Sequence, residues 1–417
     1  MRVERIGGPD SPAAMLRTLA SATQRHGLPM PAALTGDWFG SRAVLVPSVS
    51  IEPVSIDEAF GVPTGSGGPA IGGGWIGYLS YPDAGADGRG PRIPEAAGGW
   101  TDDVLRQDAS GFWWYESLSG AAVPGWITEA LSTPVAPAAW AIEWTEPDRD
   151  VHHAGVLSCL EAIAAGEVYQ ACVCAQFVGT LRGRPVDFFA DVVARTAPAR
   201  AAFVAGEWGA VASLSPELFL RHTGETVTSS PIKGTLPLDA PPSALRASVK
   251  DVAENVMIVD LVRNDLSRVA VTGSVTVPEL LAVRRAPGVW HLVSTVSARV
   301  AADVPMSSVL DATFPPASVT GTPKARAREF LGGWEPYRRG VYCGTVGFAS
   351  PAAGAELNVA IRTVEFDAAG RGVLGVGGGI TADSDPEAEW QECLHKAAPI
   401  VGDLLAGPQH GVVELTP

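Results

Sequence analysis

The chain lacks any run of about 18 apolar residues, the length a membrane-spanning helix needs, so no membrane role is expected. Its opening, MRVERIGGPD, lacks the apolar stretch of a secretory signal, which points to a cytoplasmic protein. Cysteine is scarce: Cys159, Cys172, Cys174, Cys343 and Cys393 form no Cys-x-x-Cys pair and no zinc spacing. Free thiols in a reducing compartment are expected, without a structural disulfide. Positive charge is short as well. A formal net charge of -15 over 417 residues opposes attraction to a phosphate backbone and argues against a nucleic-acid partner. Any anionic substrate must then meet a local positive site.

Lysine is the sharpest shortage. Of 30 basic side chains, only Lys233, Lys250, Lys324 and Lys396 are lysines. Arginine has taken nearly every other place where a positive charge serves. A lysine kept against that bias is either a chance survivor or a compact ammonium that can also lose its proton to become a primary amine.

What is present is enough apolar residue, 46%, to bury a large core. The length suits two or three average domains. Residues 1–145 read as an N-terminal subdomain, in which short β-type runs such as Ala43-Val44-Leu45-Val46 alternate with Gly- and Pro-rich turns. Residues 131–150 read as a proline-punctuated connector, and 146–405 as the catalytic domain. A helix is expected over 151–166. Strands are expected over 168–177, 210–214, 340–348, 356–364 and 372–376, as runs suited to a buried sheet. Without a regular βαβ rhythm, the fold class is α+β.

Two helices carry paired carboxylates. The helical stretch beginning at Leu245 places Asp251 and Glu254 three apart on one face, with Val252, Val256, Val259 and Val262 available to pack inward. A second helix is announced by Asp385 at the N-cap and Pro386 at the first helical position, and it carries Glu389 and Glu392. Either pair alone reads as a solvated face. The second helix, however, follows Val376-Gly377-Gly378-Gly379-Ile380, a glycine run expected to be a loop whose backbone approaches an anion closely. Two carboxylate helices beside it suit Mg²⁺, which takes few protein oxygens and fills its shell from water and substrate. In Ser229-Ser230-Pro231-Ile232-Lys233-Gly234-Thr235, a lysine stands in what reads as a fixed loop. It is an anion anchor, a surface charge or a nucleophile activated by desolvation.

In order and spacing, nine segments resemble the chorismate-utilising enzymes: anthranilate, aminodeoxychorismate, isochorismate and salicylate synthases. They are GEVYQ from Gly166, SLSPELFL from Ser213, SSPIKGT from Ser229, AENVMIVDLVRNDLSRV from Ala253 and HLVSTV from His291. FPPASVTGTPKARA from Phe314, GVYCGTVGF from Gly340, LNVAIRT from Leu357 and GGGITADSDPEAEWQECLHKA from Gly377 complete the set. GGGWIGYLSY from Gly72 is a weaker match. The resemblance implies an anthranilate-synthase-like fold, mainly antiparallel β-sheets packed as a sandwich with helices on the outside. It implies Mg²⁺ on Glu254, Glu389 and Glu392, with Asp251 close behind, holding the ring carboxylate of chorismate. Gly234 and Thr235 would complete that carboxylate's site. Tyr342, Arg362 and Gly377, Gly378 and Gly379 would hold the enolpyruvyl carboxylate, and His291 and Ser318 would line the pocket.

Two positions separate the branches of the family. Where the water-using synthases resemble one another in a basic lysine after G-E-x-x, this chain has Gln170, which takes up no proton. Where anthranilate synthases resemble P-I-A-G-T, this chain has PIKGT, similar to the aminodeoxychorismate branch. That resemblance implies Lys233 as the nucleophile and Glu217 as the proton donor to the leaving hydroxyl, with ammonia then adding to give 4-amino-4-deoxychorismate for p-aminobenzoate and folate or a related specialised pathway. No cysteine sits in a G-x-C-x-G elbow, so a separate glutamine amidotransferase subunit is the expected source of ammonia. Anthranilate synthase component I is the alternative enzyme, and a catalytically silent amidotransferase scaffold the alternative of another class. Ala171 and Cys172 depart from the family's frequent Val and Asn, and Pro316-Ala317 from its Gly-Gly, which touches fine pocket geometry.

Overall fold

The computed structural model describes residues 1–402 except 64, 66, 84–89 and 134; the last residues of the expected catalytic domain, 403–405, lie outside the described residues. Two large antiparallel sheets, of twelve and ten strands, form the body. The alternation in Ser41–Val46 shows how they pack. Val44 and Val46 point into a core shared with Ile76, Tyr78, Val346 and Phe348 of the other sheet. Ala43 and Leu45 point the opposite way, into a core shared with Met15, Leu16 and Leu19 of the Pro12–His26 helix. With a side-chain period of two, a strand covered on both faces must be apolar at every position, which is why AVLV carries no polar residue.

The helices take the outer faces. Pro12–His26, Pro185–Thr196 and Pro386–Val401 cover the first sheet, and Val249–Ser267 with Met306–Thr313 covers the second. The architecture is therefore α+β, a sandwich of antiparallel sheets with helices outside. Both sheets run across residue 145: Leu34 pairs with Ala202 in one, and Gly77 with Gly347 in the other.

Several elements differ from expectation, each for a local reason. The connector contains a strand, Ala141–Thr145, paired with Gln170–Arg182. The helix expected from Leu245 breaks at Ser248, whose Oγ accepts the Asp251 N–H and starts a separate helix, Val249–Ser267. Its inward face runs through Glu254, Asn255, Ile258 and Val262, leaving Val256 44% exposed. The strand expected over 356–364 is two strands in different sheets, Gly354–Asn358 and Thr363–Asp367, and the crossing is made at Arg362 with φ 50°. Residues 340–344 form a turn before the Thr345–Ser350 strand. The helix at Asp385 is as read: its Oδ1 accepts the Ala388 N–H and Pro386 opens the helix.

Candidate active site

The site is built on a ledge of glycines that is a strand rather than the expected loop. Arg371–Ile380 pairs with Gln170–Arg182, setting Cys172 opposite Gly379, Val173 opposite Gly378 and Cys174 opposite Gly377. On its other side the Thr363–Asp367 strand stops pairing at Leu374, so residues 376–380 have no strand there among the described residues. The absence of side chains is what admits the acidic groups. A Cβ on Gly379 would overlap Gln170 Nε2 and Glu254 Oε1 and stand 3.1 Å from Lys233 Nζ. One on Gly378 would stand 2.8 Å from Glu389 Oε2, 3.8 Å from Glu392 Oε1 and 3.9 Å from Lys396 Nζ. Side chains from two distant helices and from the Lys233 segment thus converge on two adjacent residues.

Each carboxylate meets a lysine. Lys233 Nζ donates to Glu254 Oε1 at 2.6 Å, Lys250 Nζ lies 3.3 Å from Glu389 Oε1, and Lys396 Nζ lies 2.7 Å from Glu392 Oε1. Gln170 Nε2 also donates to Glu254 Oε1, at 2.9 Å, and Ser384 Oγ donates to Glu389 Oε1 at 2.6 Å. Three of the chain's four lysines therefore stand beside these carboxylates. The fourth, Lys324, donates to Asp265 Oδ2 at 2.6 Å, and Asp265 borders the cavity that Glu217 and Ser318 line. Burial pushes Glu392 up, but the ammonium groups of Lys396, Lys250 and Lys233 outweigh it and hold that carboxyl below its ordinary range.

The segment around Lys233 is also a strand, Ile232–Pro237, paired with Val289–Arg299. Its register slips between Ile232 and Thr235, and this bulge, with Gly234 at φ 90°, re-aims Lys233 toward Glu254. Asp251 lies behind: a Cβ on Gly234 would stand 3.1 Å from Asp251 Cβ. Burial pushes the Lys233 amine down, yet Glu254, Cys172 and Glu217 raise it further, so it is held as an ammonium. Glu217, 3% exposed, is pushed by burial up to about 7, against Ser318, Lys233 and Arg362, which favour its charged form.

Two basic groups keep donor capacity that no described residue takes up. Arg362 makes no ion pair with a described residue, and burial lowers its pKa while Glu217 opposes the shift. His291 Nδ1 shares a 2.9 Å hydrogen bond with Thr235 Oγ1, but its Nε2 is buried and unpaired. Burial, with Arg362, pushes this imidazole down to about 4, so it is neutral. Buried polar atoms are normally satisfied, so the bare His291 Nε2, like the buried Gln170 Oε1, is where a polar ligand could bond. Tyr342 packs its ring on Gly375, whose Cβ would overlap it, and Ser318 lies in a turn whose carbonyl accepts the Cys172 thiol at 3.5 Å.

The carboxylates are hard oxygen donors of the kind a divalent cation takes, and Glu389 Oε2 faces the Gly378 ledge while its Oε1 is anchored by Ser384. As arranged around their lysines, no three His, Cys, Asp or Glu groups among the described residues stand close enough to hold an ion. The donor chemistry fits such an ion, while an ammonium group stands at one oxygen of each of the three glutamates. Lys250, Lys396 and Ser384 were not singled out as site residues from sequence. Only the scarcity of lysine, and the position of Ser384 one residue before the Asp385 cap, signalled them.

Comparison with known proteins gives the same answer at the level of family. The chain is 42% identical over 249 residues to aminodeoxychorismate synthase component 1 of Klebsiella aerogenes, covering 58% of this chain and 54% of that protein. It is 35% identical over 343 residues to anthranilate synthase component 1 of Arthrobacter globiformis, covering 78% of this chain and 62% of that one. The chain thus spans about half the length of curated aminodeoxychorismate synthase component 1 relatives that it matches. Its fold matches the crystal structure of anthranilate synthase component I from Streptococcus pneumoniae with a TM-score of 0.72 at 24% identity, covering 89% of this chain and 90% of that one. The model of the chorismate binding enzyme family matches residues 60–402, and the chain belongs to that family.

Proposed function

We propose that the chain is the chorismate-aminating component of an aminodeoxychorismate synthase, converting chorismate and ammonia to 4-amino-4-deoxychorismate. The observation that carries this is that a buried amine, Lys233, and a buried carboxylic acid of near-neutral pKa, Glu217, lie within electrostatic reach of one another, with Gln170, which takes up no proton, on the same Glu254 oxygen as the amine. Charge balance supports it. Three ammonium groups match three carboxylates in the resting site, so a divalent cation and a substrate with two carboxylates add to it without net charge.

Glu254, Glu389 and Glu392 would hold Mg²⁺, with Asp251 behind them. When bound, the ion supplies a Lewis acid at the ring carboxylate. Arg362, without an ion pair of its own, suits the second carboxylate as a planar fork, and the neutral His291 offers its unpaired Nε2 to the substrate. Lys233 must lose a proton before it attacks. Burial favours its neutral form, and the ammonium form is maintained against it by Glu254 above all, with Cys172 and Glu217. The Lys233 nitrogen then bonds to ring carbon 2 as both ring double bonds shift, from carbons 1–2 to 1–6 and from 5–6 to 4–5, and the carbon 4 hydroxyl leaves as water with the proton of Glu217. Ammonia next bonds to carbon 4, the lysine departs with its electron pair, and the surplus proton of ammonia returns to Glu217. A glutamine amidotransferase partner is the proposed source of that ammonia, and the cytoplasm the proposed location.

A second reading is anthranilate synthase component I, because a relative of that name matches 78% of this chain at 35% identity, the same share and identity as an aminodeoxychorismate synthase relative. Purified protein with chorismate, Mg²⁺ and ammonium separates the two: fluorescent anthranilate without an added lyase would overturn the first. Mass spectrometry after chorismate exposure without ammonia should reveal an adduct of chorismate less water. The adduct should vanish in Lys233→Ala, and unaltered turnover by that variant would remove the covalent route.

A further inference from the structure

We propose that Lys250 is a built-in counter-cation of the acidic site, a positioning residue that acts through Glu389 to weaken divalent-cation binding and keep the ion exchangeable. This rests on the reading that Glu254, Glu389 and Glu392 hold such an ion.

The two oxygens of Glu389 do different things. Oε1 accepts Ser384 Oγ at 2.6 Å and faces Lys250 Nζ at 3.3 Å, while Oε2 is turned toward Gly378. With its side chain only 3% exposed, Glu389 has little water to screen it, so the nearby ammonium is its main source of compensating charge. Lys250 comes from the other carboxylate helix, and among the described residues Glu389 is its one hydrogen-bond partner. The other two lysines of the site have further attachments. Lys396 also donates to the Gly377 carbonyl at 2.8 Å, and Lys233 is buried against Glu254.

Its position is otherwise unfavourable. Lys250 is the second residue of the Val249–Ser267 helix, where the helix dipole disfavours a cation. A chain that uses arginine almost everywhere keeps a compact ammonium here, pointing across to the second helix. An arriving divalent ion meets a carboxylate already half neutralised, and like-charge repulsion from Lys250 opposes it. The side chain is 46% exposed, so it can be replaced without opening a cavity.

The test uses the metal-stripped full chain titrated with Mn²⁺ alone, followed by loss of the free-ion electron paramagnetic resonance signal and by calorimetry. Lys250→Met should bind Mn²⁺ roughly tenfold more tightly than the wild type, as expected for deleting one half-screened charge beside a divalent ion. Lys250→Arg, which keeps the charge, should stay close to wild type. If the wild type binds Mn²⁺ but Lys250→Met binds it equally or more weakly, the counter-cation role is wrong while the metal reading stands. If Lys250→Arg tightens binding as much as Lys250→Met, charge is not the cause. A wild type that binds no Mn²⁺ overturns the metal reading and this inference together.

Discussion

Lys233 Nζ and Glu254 Oε1 lie 2.6 Å apart, both side chains about nine-tenths buried, so the amine proposed to attack substrate is stored as the partner of a proposed metal ligand. Breaking such a pair from one side leaves a buried charge. Lys233→Met should therefore destabilise the metal-free chain by about 3 kcal/mol or more, visible as a lower urea midpoint. Added Mg²⁺ should restore much of the loss by supplying another positive charge. Amination should fall by more than about a hundredfold with or without that rescue. A variant as stable as the wild type in chelator, and still able to aminate, would dissociate this pair from both roles.

Glu217 ties stability and rate to pH in the same direction. Its pKa is raised by burial to about 7, above its ordinary value of 4.5, so the folded chain holds the proton more tightly than the unfolded chain does. That stabilisation is fully present below about 4.5 and is lost as pH rises through about 7. A rise of this size corresponds to about 3 kcal/mol, so Glu217→Gln should be more stable than the wild type by up to that amount at pH 8 to 9, and no more stable near pH 4. As a proton donor, the same group should make kcat decline as pH rises through about 7. The glutamine variant should lose about 10²- to 10⁴-fold in rate. Matching urea midpoints at pH 9, or a flat kcat profile in the wild type, would count against this assignment.

The fold was legible where local chemistry decides it. Period-two apolar runs and the Asp385-Pro386 cap gave the buried strands and the second carboxylate helix their type and place. What failed depended on neighbours distant in sequence. The glycines at 377–379 look like a loop because glycine disfavours strands, yet they are held in one by pairing with Gln170–Arg182 and kept bare by Glu254 and Glu389. Nothing near Arg362 announces that the chain changes sheets there. Glu254 and Glu389 could be chosen by spacing and resemblance, whereas their lysine partners required knowing which helices meet.

Gly379→Ala tests the ledge directly. The backbone at 379 is ordinary extended strand, so alanine adds no conformational strain and some β-compatibility. Its Cβ collides only with the ends of side chains, Gln170 Nε2, Glu254 Oε1 and Lys233 Nζ, among its nearest neighbours. These can move, so the urea midpoint should change by less than about 1 kcal/mol in apparent stability. The displaced Glu254 and Lys233 should nevertheless lower amination by about a hundredfold, since misplacement of about 1 Å at a reacting group has that effect. An active variant would show that the three groups do not act at the positions they occupy here.

Behind the Gln170–Arg182 strand, Arg339 and Glu335 form a bidentate pair at 2.9 and 2.7 Å, with Arg339 1% and Glu335 5% exposed at the side chain. The same guanidinium donates to the carbonyls of Val319 at 2.8 Å and Cys172 at 2.6 Å, and Glu335 Oε1 accepts the Cys174 N–H. It thereby ties the strand that faces the glycine ledge to the turn that carries Ser318. Arg339→Met leaves a carboxylate enclosed without its cation and should cost about 3–5 kcal/mol in unfolding free energy. Adding Glu335→Gln removes the stranded charge while keeping a polar group for the Cys174 N–H, so the double variant should be more stable than Arg339→Met alone. Because Cys172 adjoins Lys233, the single variant should also raise KM or lower kcat for chorismate before it unfolds. Should the second substitution bring no recovery, the lost carbonyl bonds rather than the buried charge would be what the pair secures.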